Sequence, residues 1–93
     1  MTIAEVESLT LSLEIALAVA EDAFNAKRAR LESGFAAERG WKLPLKKHQF
    51  REMNGTIDLL MLESTESRRM SEARRALQAH NWKVCRMRHG YQA

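Results

Sequence analysis

The side chains with the most reactive chemistry lie near the C-terminus, where His80, Cys85 and His89 stand at spacings of five and four. Three such donors on one segment can hold zinc with a fourth position open. Zinc sites, however, draw on CxxC pairs, HExxH helices or a carboxylate in register, and none of these is present. The simpler account is a His80 favourably placed against the negative end of a helix dipole, beside a semi-buried Cys85. Cys85 and His89 also have the i, i+4 spacing of a thiol–imidazole pair on one helical face. Nucleophilic catalysis needs a pocket and an oxyanion site as well, which a slim helical chain with four glycines has little means to build. The carboxylates Glu21 and Asp22, and Glu63 and Glu66, read as solvated faces. Gly34, Gly40, Gly55 and Gly90 are isolated, so no phosphate-cradling loop is formed. No catalytic, metal-binding or cofactor-binding residue is assigned, and the chain is read as non-enzymatic.

Recognition chemistry is better represented. Arg68, Arg69, Arg74 and Arg75 occupy the broad side of a helix opposite Met70, Ala73 and Leu77, and Lys83, Arg86 and Arg88 extend the charge toward Trp82 and Tyr91. Tryptophan, tyrosine and arginine are the residues that most often anchor protein interfaces. The same set can also hold phosphates and stack on bases. A charge count sharpens the contrast along the chain: the stretch 1–37 sums to about −3, 38–67 cancels, and 68–93 sums to about +6. The primary expectation is a partner protein met through an acidic patch, with nucleic acid as the alternative partner. Alanine at Trp82 and Tyr91 is expected to hurt the first more, and loss of the four arginines to abolish the second.

These residues need helices to position them. Thr2 followed by Glu5 is a capping-box pattern that starts a helix. Ile3, Thr10, Leu17, Phe24 and Leu31, interleaved with Val6, Leu13, Ala20 and Lys27, then form a heptad seam with two polar lapses, Thr10 and Lys27. Leu9, Leu11, Leu13, Ile15, Leu17 and Val19 also alternate in the manner of a strand. The cap upstream, the intervening alanines and the missing turn residues favour helix 1 over about 3–38. On that helix Leu11, Ile15 and Val19 make a second apolar stripe away from the seam, and a helix apolar on two faces wants two partners.

Gly40 and Pro44 mark a connector over about 39–45. Pro44 can then open helix 2, over about 45–80, in which Asn54-Gly55 offers a turn or kink or is carried through as helix, and Thr56 could cap a restart. Leu59, Leu62, Met70, Ala73 and Leu77 are expected to share its inner face, with Glu66 as an exception; Ile57, Leu60 and Met61 begin a second stripe that narrows into Ser64, Ser67 and Ser71, and about 81–93 reads as a basic tail.

A short connector returns helix 2 antiparallel to helix 1, so the expected fold is all-α, an antiparallel two-helix hairpin. If the turn centres near Lys42, Leu9 to Val19 faces the weakly apolar stretch Thr65 to Arg75, and the uncovered surface calls for a second copy. If it centres nearer Lys47, Leu77, Trp82 and Val84 slide opposite and that need weakens. The expectation is a homodimeric four-helix bundle joined through Leu9, Leu11, Ile15 and Val19.

At 93 residues the chain has the size of one domain. Its longest uncharged stretch is too short to cross a bilayer, and Cys85 is its single cysteine. The acidic N-terminus lacks the basic region of a secretory signal, so the expected location is cytoplasmic. Composition and spacing thus predict a coiled-coil-like adaptor, inhibitor or regulator that masks or modulates its partner.

Overall fold

The computed structural model describes residues 2–88. It is all-helical, with α1 Ile3–Arg39, α2 Lys47–Leu62 and α3 Thr65–Arg88 arranged in a rod of 62 × 23 × 22 Å. No helix among the described residues is long and apolar enough to cross a membrane.

α1 begins where its cap indicates, with Thr2 Oγ1 accepting a hydrogen bond from the Glu5 amide at 3.2 Å. It ends on Gly40 in the left-handed region at φ 67°, where the Gly40 amide donates to the Ala37 carbonyl and the Trp41 amide to that of Ala36. This paired closure satisfies carbonyls that the helix end would otherwise leave open, and glycine reaches that φ without a Cβ penalty.

The second helical stretch differs from expectation in two places. It starts at Lys47 and not at Pro44, since the Lys46 amide donates to the Gln49 side chain and fixes the first turn there. Asn54-Gly55 lies inside α2 without a break. Met53, Ile57 and Met61, one turn apart on either side of that pair, are all buried, and their packing outweighs the roughly 1 kcal/mol that a mid-helix glycine costs. The break falls instead at Glu63 and Ser64. The buried Ser64 hydroxyl donates to the Met61 carbonyl at 2.7 Å and accepts from the Ser67 amide at 3.1 Å, closing α2 and capping α3 with one side chain.

That break resets the helical phase. Leu59 and Leu62, expected on the inner face, are 69% and 75% exposed, and Ile57 and Met61 take the core positions. The expected tail is also corrected over its first part: α3 continues to Arg88, because Leu77, His80 and Val84 keep the seam spacing and no glycine or proline intervenes. His89 and Tyr91 lie outside the described residues.

The core sits at the α2 end. Phe24, Leu31, Phe35, Trp41 and Leu45 pack around Met53, Ile57 and Met61. Trp41 meets the Phe35 ring edge-on at 5.4 Å, and the Arg39 guanidinium lies 4.3 Å above Phe35. Arg39 is held in turn by Glu52, and Arg28 bridges Glu32 at 3.1 Å and Asp58 at 2.7 Å.

Along the rest of the rod α1 packs against α3, and both polar lapses of the α1 seam meet polar residues there. Thr10 Oγ1 donates to the Val6 carbonyl at 2.9 Å, so its lone pair accepts from His80 Nε2 at 2.6 Å. Lys27 donates to Glu66 at 3.3 Å. The Glu66 carboxyl is held below its ordinary range, first by its own backbone amide in the opening turn of α3 and then by Lys27 and Arg69, against a partial burial that pushes it up. Thr10 and His80 are equidistant in sequence from Leu45, so the pairing is nearer the later of the two registers that the connector allows.

Candidate interaction surface

The seam of α3 fixes what the helix shows outward. Glu66, Met70, Ala73, Leu77, His80 and Val84, at alternating spacings of four and three, are all buried or half-buried against α1. Helical geometry then sends Arg68, Arg75 and Trp82, at intervals of seven, together with Arg86, along the back of α3. Arg69 and Arg74 project to opposite flanks of the seam and Arg88 lies close to its edge, although every one of these arginines is exposed. The broad arginine side read from the sequence is therefore a central ridge with two separated flanks. The signal that separates them was already present as the seven-residue interval from Arg68 to Trp82.

Trp82 is 65% exposed. Beside it a shallow concavity is lined by Arg75, Gln78, Ala79, Asn81 and Cys85. It offers an aromatic face, a guanidinium and two side-chain amides within one helical stretch, and Cys85 is an exposed free thiol within it. A second groove runs across the α1–α3 edge, with Glu7, Leu11 and Glu14 on one wall and Asn81, Cys85 and Arg88 on the other. Gln78, Asn81 and Cys85 carried no partner-binding assignment in the sequence reading, because a polar residue on an exposed helical face has no signature until its neighbours are placed.

The electrostatics single out this surface. The ion pairs of the described residues are Lys27–Glu66, Arg28–Glu32, Arg28–Asp58 and Arg39–Glu52. Among the described residues, none of the arginines of α3 enters one. Arg69 acts on the Glu66 carboxylate from a distance, and the other arginines of α3 project into solvent.

The residues expected at a dimer interface do not all share one face. Leu11, Ile15 and Val19 lie on the outer side of α1, with Leu11 reaching the rim of the groove that α3 borders, and are 58%, 54% and 62% exposed. Leu9 lies on a flank, where it lines an apolar groove with Leu13, His80 and Met87, and is 39% exposed. Since α1 and α3 meet through their seams, the apolar back of α1 and the basic back of α3 look out from opposite sides of the rod. Compared with known protein families, characterised proteins and solved structures, the chain matches none.

Proposed function

We propose that this chain is a non-catalytic binding protein, a homodimeric helical hairpin that engages an acidic patch on a partner protein through the ridge Arg68, Arg75, Trp82 and Arg86 and acts by masking it. The observation that carries this reading is the ridge itself: a row of arginines with no acidic partner among the described residues, flanking an exposed tryptophan. A desolvated aromatic with adjacent arginines is the composition of an interface hot spot, and unpaired surface charge steers association with an oppositely charged surface. The apolar back of α1 is left on the other side for self-association, so the two contacts do not compete.

The nucleic-acid reading rests on the same row, since arginines beside an exposed Trp82 suit phosphates and a stacked base. One pair of experiments separates the two. Fluorescence anisotropy of labelled duplex DNA and structured RNA is expected to show only binding that disappears at near-physiological salt. Affinity capture from cell extract, compared between the unaltered protein and Trp82→Ala, is expected to recover an acidic protein that the variant loses. Salt-resistant nucleic-acid binding that Arg68→Ala/Arg75→Ala removes would replace the protein partner with nucleic acid. A captured set unchanged by Trp82→Ala and by Arg75→Ala/Arg86→Ala would sink the ridge as the site.

A further inference from the structure

The back of α1 holds Leu11, Ile15 and Val19 at four-residue spacing, each more than half exposed, in a chain whose described residues bury three hydrophobic side chains. Around Ile15 this face is nearly symmetric in size and polarity. Leu11 and Val19 stand four residues to either side, Ser12 and Ala18 three, Ser8 and Asp22 seven, and Ala4 and Ala26 eleven. In a helix those offsets all return to within about 60° of the direction of Ile15, so the symmetric set is one continuous strip. Every member of it is exposed.

We propose that the occupant of this strip is a second copy of the chain, packed antiparallel with the two-fold axis at Ile15; the inference rests on the homodimer reading above and supplies its register. Under such an axis each residue meets the one equally far on the other side of Ile15. Leu11 lies against the partner's Val19, Ile15 against itself, and Ala4 against the partner's Ala26. Small residues between the large ones let two helices approach to about 8 Å.

Charge selects this arrangement over the parallel one. Asp22 is the only charged residue of the strip, and the axis places it opposite the partner's Ser8, whose hydroxyl can donate to the carboxylate. The acids at the strip's edge, Glu7, Glu14 and Glu21, come opposite the partner's Ala23, Ala16 and Leu9, so no carboxylate faces another. A parallel pair about a two-fold axis would set each acid beside its own copy, Asp22 included, at a cost in repulsion. The antiparallel dimer also turns the two arginine ridges outward on opposite faces, which makes it bivalent for a partner that presents more than one acidic patch.

Thiol cross-linking tests the register in a Cys85→Ser background, where single cysteines replace exposed residues. Ile15→Cys is expected to form a linked dimer on oxidation. Leu11→Cys and Val19→Cys are expected to link weakly alone, because each would lie about 12 Å from its own copy, and several-fold more strongly when the two variants are mixed. Circular dichroism checks that each variant remains helical, and light scattering on the Cys85→Ser parent gives its mass. A dimeric mass with all three single variants linking to themselves would overturn the antiparallel register and leave the homodimer standing. A dimeric mass with no linking at any of the three would move the interface elsewhere and overturn the proposal in that way. A monomeric mass with no linking would overturn the homodimer itself and leave the strip to a different protein.

Discussion

At the α2 end of the rod, Met53, Ile57 and Met61 are at most 3% exposed, and aromatic side chains from α1 and the connector close around them. Along the α1–α3 half, His80 is the one buried residue of α3, and the seam is made of half-covered side chains interrupted by the pairs Thr10–His80 and Lys27–Glu66. The two regions divide the work of folding. Each fully buried Ile or Met side chain contributes roughly 1.5–3 kcal/mol, so the α2 end is the main source of stability. The long half contributes less apolar burial, but its polar pairs discriminate: sliding α3 by one turn would leave a histidine and a lysine against apolar neighbours, whereas an all-apolar seam would tolerate several alignments. One end makes the fold stable. The other sets its alignment and leaves an apolar and a basic outer face uncovered.

The largest effect that tests this division is expected at the core. Ile57→Ala should cost about 2–5 kcal/mol in urea unfolding, through lost burial and the cavity left among Met53, Met61 and the aromatics. A loss below about 1 kcal/mol would mean that the α2 end is not the dominant core. A smaller and more informative effect is expected at the seam. Thr10→Val removes the acceptor of His80 Nε2–H and should cost about 1–3 kcal/mol, while the double variant Thr10→Val/His80→Leu should regain much of that loss because neither partner is left unsatisfied. Additive costs in this cycle would show that the pair does not act as a unit. The smallest change has the opposite sign. Gly55 is exposed in mid-α2, and a Cβ there meets nothing within 4 Å, so Gly55→Ala should stabilise by up to about 1 kcal/mol, readable as a higher urea midpoint at unchanged slope.

Those same sites show what could be read in advance. The heptad seam of α1 was legible residue by residue, because a 37-residue helix repeats its geometry often enough for the period to stand out. Thr10 and Lys27 were legible as lapses. Their partners were not, since nothing local says that a threonine on one helix will meet a histidine seventy residues later. The break before α3 was not legible for a related reason. Asn54-Gly55 is the stronger turn signal by composition, whereas Glu63-Ser64-Thr65-Glu66-Ser67, a run of capping residues with acids, ends α2 once Ser64 is buried and its hydroxyl has both a carbonyl and an amide to satisfy. Reading one continuous helical phase through that break put Leu59 and Leu62 on the inner face, where Ile57 and Met61 of the second stripe are the buried pair.

For the candidate site, residue types were legible and their grouping was not. Arginines and tryptophan marked the C-terminal quarter as the basic surface, but which of them form one ridge depended on where α3's seam lies. Helical class, the start and end of α1, its seam and its second apolar stripe were fixed by the sequence itself, because they follow from periodicity and capping within a few turns. The site of the α2–α3 break, the pairing of Thr10 with His80 and of Lys27 with Glu66, and the separation of an apolar back from a basic back were decided only by tertiary structure. Each of these depends on the phase between two helices, and that phase is set by side chains distant in sequence competing for one buried seam.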